Sequence, residues 1–118
     1  MAKTSRPTFT SDEAGKFRAF LEAQFGLKLD DVAHRVAHLT PREMEVFHEL
    51  NAGEKAVAIT EKLGITDRTL AIHRDKVRRK LEITTLAGLG RVYWMFKLGE
   101  GLAPEVFEAA KKWRTIGP

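Results

Sequence analysis

Ile65-Thr66-Asp67-Arg68-Thr69-Leu70-Ala71-Ile72-His73-Arg74-Asp75-Lys76-Val77-Arg78-Arg79-Lys80-Leu81 is the stretch from which the rest of the chain can be read. Thr66 can cap a helix through its side-chain oxygen, and Leu70, Val77 and Leu81 recur at i, i+7 and i+11, leaving one narrow apolar stripe. With successive side chains about 100° apart, the side opposite Leu70 carries Arg68, Ile72, Asp75 and Arg79, flanked by Ala71 and Lys76. From Arg68 to Lys80 there are six Lys or Arg against one acid, Asp75. A short helix fixed by its apolar stripe and basic on its outer face fits the major groove of DNA. An ordinary solvated helix face would carry the same charge, so the neighbouring residues decide between the two.

The preceding residues are specific. In Leu39-Thr40-Pro41-Arg42-Glu43, Thr40 is placed to cap a helix and Pro41 stands at the first helical position, where its missing N–H costs nothing. Glu43 can reach back to complete a capping box. Val46, Phe47 and Leu50 supply the buried face, and Asn51-Ala52-Gly53 ends the helix. A second helix over about 55–63 turns Ile59 and Leu63 inward and stops at Gly64, after which Ile65-Thr66 leads into the basic helix. Two helices joined by a tight glycine turn, the second basic outside, describe a helix-turn-helix.

Several of these residues together resemble the LuxR/FixJ-type (GerE-like) DNA-binding domain of bacterial transcription regulators. The resemblance runs through Leu39-Thr40-Pro41-Arg42-Glu43, Glu45-Val46, Gly53, Ile59, Leu63-Gly64-Ile65, Thr69-Leu70, His73, Val77 and Lys80-Leu81, then through the helix after Thr85. It covers about residues 39–98. It implies an all-α, four-helix domain whose third helix enters the major groove of double-stranded DNA and whose fourth commonly supports dimerisation. Where the family usually has Ser or Thr, then Asn and a basic residue after the glycine, this chain has Lys55, Ala56 and Val57. The side-chain cap and a polar group for phosphate are thereby missing, although Lys55 can itself reach a phosphate. Ala71 and Asp75 also depart from the family pattern. They shift base reading to other chemistry: Ala71 and Ile72 against a thymine methyl, Asp75 accepting from cytosine N4, and Arg68, Lys76 or Arg79 on guanine or phosphate. The expected DNA contacts are therefore Lys55, Thr66, Arg68, Thr69, Ala71, Ile72, Asp75, Lys76 and Arg79.

After Thr85, Leu86, Leu89, Tyr93 and Phe96 form one stripe, but Val92, Trp94, Met95 and Leu98 spread apolar surface around most of the circumference. A helix apolar nearly all round is buried on more than one side. One side should close the core. Another could face a second subunit, with Val92, Trp94, Met95 and Leu98 as the dimer interface, or the remaining segments of this chain. Those segments are an N-terminal extension, 1–38, and a C-terminal extension, 99–118, flanking a domain at 39–98. Residues 1–9 read as a loose basic lead-in. A capping box at Thr10 and Glu13 starts a helix over 11–25 with Ala14, Phe17, Phe20, Leu21 and Phe25 on one side, and a shorter helix is expected over 29–36. Gly99-Glu100-Gly101 reads as a hinge before a last helix that starts at Pro104 and turns Val106, Phe107, Ala110 and Trp113 inward. Either extension could enlarge the core or form a partner surface. Neither is long enough for a receiver or a small-molecule sensor, so regulation of that kind calls for a separate protein.

The 118 residues, 43% of them hydrophobic, suit one domain with one modest core. Without cysteine there is no disulfide, thiolate metal site or thiol nucleophile. His34 and His38 are spaced i, i+4, but a closed metal site needs about four ligands and no further ligand falls at a recognisable spacing. There is no phosphate-binding glycine loop, G-x-S-x-G elbow or paired-carboxylate motif, so neither catalysis nor a cofactor is expected. No apolar leader or membrane span is legible, which fits a soluble cytoplasmic protein. Three functions remain: a dimeric, sequence-specific transcriptional regulator, working with RNA polymerase or a separate regulatory protein; a protein-interaction module built on a diverged helix-turn-helix; and a promoter-reading region like that of a sigma factor.

Overall fold

The structure is a computed structural model that describes residues 10–116, the backbone alone over 113–116. The basic lead-in at 1–9 and the side chain of Trp113 lie outside the described residues. Among those described, all regular structure is helical: α1 (Ser11–Phe25), α2 (Leu29–Ala37), α3 (Pro41–Asn51), α4 (Ala56–Leu63), α5 (Asp67–Lys80), α6 (Leu86–Leu102) and α7 (Pro104–Ile116). The fold class is thus all-α, as the sequence indicates. Both anticipated capping boxes form, with Thr10 accepting from the Glu13 N–H and Thr40 from the Glu43 N–H, each glutamate reaching back to its cap. Gly26 and Gly64 close α1 and α4 in the left-handed region, at φ 67° and 66°, where a side chain would be strained.

Two apolar clusters hold the helices. The smaller joins Val46 of α3, Ile59 of α4 and Leu70 of α5, with Leu50, Leu63 and Ile65 against it, and it sets the angle of the helix-turn-helix. The larger collects Leu21, Leu29, Val32, Ala33 and Val36 from the N-terminal side, Phe47 from α3, Val77 from α5 and Leu81 from its C-cap, Leu89, Val92, Met95 and Phe96 from α6, and Phe107 and Ala110 from α7. The extensions therefore contribute to the same core as the helix-turn-helix. At its centre Phe47 meets Tyr93 edge-on with ring centroids 5.1 Å apart and stacks on Phe96 at 6.2 Å. His48 places Nδ1 3.0 Å from the Tyr93 hydroxyl, and burial, aided by the charge of Lys97, lowers its pKa.

The structure departs from several expectations drawn from the sequence. Gly99-Glu100-Gly101 is not a hinge: α6 runs unbroken through it to Leu102, so the divide at 98/99 falls inside a helix. The reason is packing, since a Cβ on Gly99 would stand 2.6 Å from Leu29 Cδ2 and 2.9 Å from the Phe107 ring. The glycine lets α6 approach α2 and α7. Phe20 departs from the inward stripe of α1 and is 56% exposed, and Leu86, the first residue of α6, is 84% exposed. Val92 and Met95, expected at a dimer interface, are buried inside the chain; Trp94 and Leu98 remain outside, 54% and 38% exposed. The apolar circumference of α6 is thus largely covered by α1, α2, α3 and α7.

Two α6 glycines should respond oppositely to substitution. Gly90 has open space where a Cβ would go, so Gly90→Ala should stabilise by about 1 kcal/mol through helix propensity. Gly99→Val should destabilise by about 1–3 kcal/mol, because buried Leu29 and Phe107 would have to move. Urea unfolding of both variants checks the pair, and equal effects would contradict the close approach.

Candidate nucleic-acid interface

α5 is held along one side only. Its N-cap Thr66 accepts from the Thr69 N–H at 3.1 Å, and its hydroxyl also reaches Thr69 Oγ1 at 3.0 Å. Leu70 docks on the small cluster and Val77 and Leu81 on the large one, so the helix bridges the two. The opposite side is open. Arg68, Ala71, Ile72, Lys76 and Arg79 are exposed, and Thr69 and Asp75 are half-buried. Ile72, at 46% exposure, is a large apolar side chain facing water in the middle of a basic surface. Lys55 stands exposed at the N-cap of α4 and gives no side-chain cap hydrogen bond there, as its departure from the usual Ser or Thr suggests. Beside it Val57 is exposed.

The cations of α5 divide into two kinds. Arg79 pairs with Asp75 one turn earlier, so the carboxylate expected to read a base is engaged within its own helix. The i, i+4 spacing that permits this pair was present in the sequence. Lys80 points inward: its Nζ donates to Glu43 Oε1 at 2.6 Å and to the His38 carbonyl at 3.1 Å. Glu43 is the buried charged residue among those described, 3% exposed. Burial alone would raise its pKa. The hydrogen bond from Lys80 and the N–H of Thr40 outweigh that and hold the carboxyl below its ordinary value. The capping box that starts α3 therefore also receives the last residue of α5, and the two helices are locked by one carboxylate.

A second lock closes the end of α5. Arg35 of α2 donates through a terminal guanidinium nitrogen to the Leu81 carbonyl at 3.4 Å, while its Nε lies 3.4 Å from Glu82 Oε2. This places a cation at the C-terminal, negative end of the helix dipole. Glu82 itself adopts φ 55°, a left-handed conformation that a non-glycine residue takes at some cost, and the Ile83 N–H returns to the Arg78 carbonyl at 2.8 Å. Nothing local in the sequence signals a contact from Arg35 across 46 positions. Among the described residues no group of three or more metal-ligating side chains assembles, and His38 Nδ1 instead lies 2.7 Å from the His34 carbonyl. No helix among them is long and apolar enough to cross a membrane.

Residues 37–92 match the family model GerE, described as bacterial regulatory proteins, luxR family. Two curated relatives are also similar to part of this chain. One is the transcriptional regulatory protein MctR of Rhizobium johnstonii, 41% identical over 68 residues, which are 58% of this chain and 30% of that protein. The other is the transcriptional regulatory protein FixJ of Bradyrhizobium diazoefficiens, 37% identical over 62 residues, 52% of this chain and 30% of that protein. The chain thus spans about three-tenths of the length of the relatives it matches. No solved structure matches it significantly. The matched segment holds both helices of the helix-turn-helix and the capping box that anchors them, and Arg35, which holds the end of α5, stands just before it. The segment that builds the helix-turn-helix, residues 37–92, is thus similar to the luxR family of bacterial regulatory proteins.

Proposed function

We propose that the protein is a sequence-specific transcriptional regulator that inserts α5 into the major groove of double-stranded DNA. The observation that carries this reading is the one-sided anchoring of α5. Leu70, Val77, Leu81 and Lys80 fasten one side to α3, α4 and α2, while Arg68, Ala71, Ile72, Lys76 and Arg79 are all turned outward together. Ala71 and Ile72 offer apolar contact to thymine methyls, and Arg68 and Lys76 offer donors to guanine or phosphate. Lys55, Thr66 and Thr69, at the starts of α4 and α5, are placed for the flanking backbone. The test is affinity for duplex DNA against salt: five phosphate contacts give a log–log slope of about −4.5, and selection from a random pool should return one enriched motif. A flat salt response with no enrichment would favour a protein-interaction module instead.

Asp75 has a specific expected behaviour. Its pairing with Arg79 directs that arginine along the outer face, and both can exchange partners for bases in the groove. Asp75→Asn should relax preference at one base pair by about 1–3 kcal/mol and raise non-specific affinity, because a charge repelling phosphates is gone and Arg79 is freed. Unchanged base preference in a pool selection would remove Asp75 from the readers.

The dimer that the family resemblance implies would use the exposed side of α6, with Trp94 and Leu98 as its centre. Val92 and Met95 would support it from beneath rather than touch the partner. Trp94→Glu should shift sedimentation from about twice the monomer mass towards monomer, whereas a charge at buried Met95 should unfold the chain. Monomeric wild type at high concentration would end the dimer reading.

A further inference from the structure

On and around α5, among the described residues, four cations have a carboxylate, Arg79 with Asp75, Lys80 with Glu43, Arg35 with Glu82 and Lys62 with Glu49, whereas Arg68 and Lys76 on the outer face have none. Arg74 and Arg78, on a flank, have none either. Both are exposed, and among the described residues neither meets an acid, a carbonyl or an aromatic ring. They stand one helical turn apart on the flank of α5 that adjoins Ala71, roughly 100° or more round from Arg79 and so at the edge of the face that points into the groove. On that flank they converge with Thr84 and Thr85 on a cleft of about 380 Å³ floored by Ile83 and Leu89. Thr85 Oγ1 accepts from the Gly88 N–H at 2.9 Å, which leaves its O–H free to donate. The cleft is thus lined by two arginines and two threonines beside Leu50, Ile83, Leu86 and Leu89, with no acid among them.

Donors of this kind without an internal acceptor call for an anion, and a guanidinium pair suits phosphate oxygens. We propose that Arg74, Arg78, Thr84 and Thr85 form a sequence-independent phosphate site that grips the sugar–phosphate backbone beside the groove occupied by α5. The inference rests on the DNA-binding reading above and deepens it. A helix seated in the major groove has backbone strands along both flanks, and contacts there fix register without reading sequence. Because Lys80 and Arg79 are internally paired, Arg74 and Arg78 supply a large part of the unpaired charge on α5, although both stand at the edge of its outer face. An acidic protein surface could meet the same donors. Continuity with the groove-facing side of the same helix favours the duplex.

The experiment uses the full chain, wild type and Arg74→Ala/Arg78→Ala, titrated by fluorescence anisotropy against a selected duplex and a random-sequence duplex over a range of potassium chloride. The log–log salt slope should become shallower by about 1.8, close to 0.9 for each phosphate no longer neutralised, equally on both duplexes. The ratio of the two affinities should stay as in wild type. Arg74→Lys/Arg78→Lys should keep the slope. The single alanine variants should each show about half the change, and they carry the test if the double variant does not fold. An unchanged slope overturns the proposal and leaves the acidic partner as the occupant of the cleft. A loss confined to the selected duplex also overturns it, since the arginines would then be reading bases. Wild-type protein that binds neither duplex overturns the DNA-binding reading itself, an outcome distinct from both.

Discussion

Phe47→Ala should cost about 3–5 kcal/mol, the range for removing a large ring from a core that cannot close over the gap. Phe47 is fully buried, and its ring is braced by Tyr93 and Phe96 of α6 with His48 beside it. It is the α3 residue that ties the helix-turn-helix to the large cluster in which α1, α2 and α7 also share. The melting temperature should fall by on the order of 10–20 °C, and far-UV and near-UV circular dichroism should report one common transition. Two separated transitions would show that the extensions fold independently of the helix-turn-helix. A loss below about 1 kcal/mol would show that the aromatic cluster collapses around the vacancy.

Lys80→Ala should cost about 2–3 kcal/mol. A fully buried pair broken on one side costs about 3–5 kcal/mol; here the lysine side chain keeps 34% of its surface in water, which softens the loss. What remains is Glu43, 4% exposed at its side chain, with only the Thr40 capping hydrogen bonds to offset burial. The pH dependence follows from the sign of the shift. The folded pKa of Glu43 lies below its unfolded value, so the carboxylate stabilises the fold fully above the unfolded pKa of about 4.3, and that stability is lost as pH falls through the folded pKa. Without Lys80 the folded pKa should rise and acid unfolding should begin at higher pH. DNA affinity should fall as well, since the end of α5 loses its anchor on Glu43 and the His38 carbonyl. The salt slope should not change, because an internally paired ammonium releases no counterion from DNA. A slope reduced by about one unit would mean that Lys80 leaves Glu43 to meet a phosphate.

Stability and salt slope, measured side by side, separate these variants. Lys80→Ala should lower stability and leave the salt slope alone, whereas Arg74→Ala/Arg78→Ala should lower the slope and leave stability nearly alone, because both arginines are exposed and without an ion pair. The two kinds of cation on one helix are thereby distinguished by measurement.

The signals that act within one or two turns were legible from the residues alone. Thr10 with Glu13, Thr40 with Pro41 and Glu43, Gly64 before Thr66, and Pro104 mark helix starts and stops because capping and φ preference are satisfied by near neighbours. The stripe of Leu70, Val77 and Leu81 settled which side of α5 is outward, since a single apolar side leaves no choice. The Asp75–Arg79 pair could have been read from its spacing in the same way. Only the tertiary structure decided the faces of α6, where apolar residues run all round. Val92 and Met95 went inward and Trp94, Leu98 and Leu86 outward according to where α1, α2, α3 and α7 lie. It also decided that Gly99 is a point of close packing rather than a hinge, because Leu29 and Phe107 occupy the space a Cβ would need. The locks from Lys80 to Glu43 and from Arg35 to Leu81 span 37 and 46 positions. Periodicity carries no information over such distances: a long flexible cation finds its carboxylate or carbonyl only after the helices have packed.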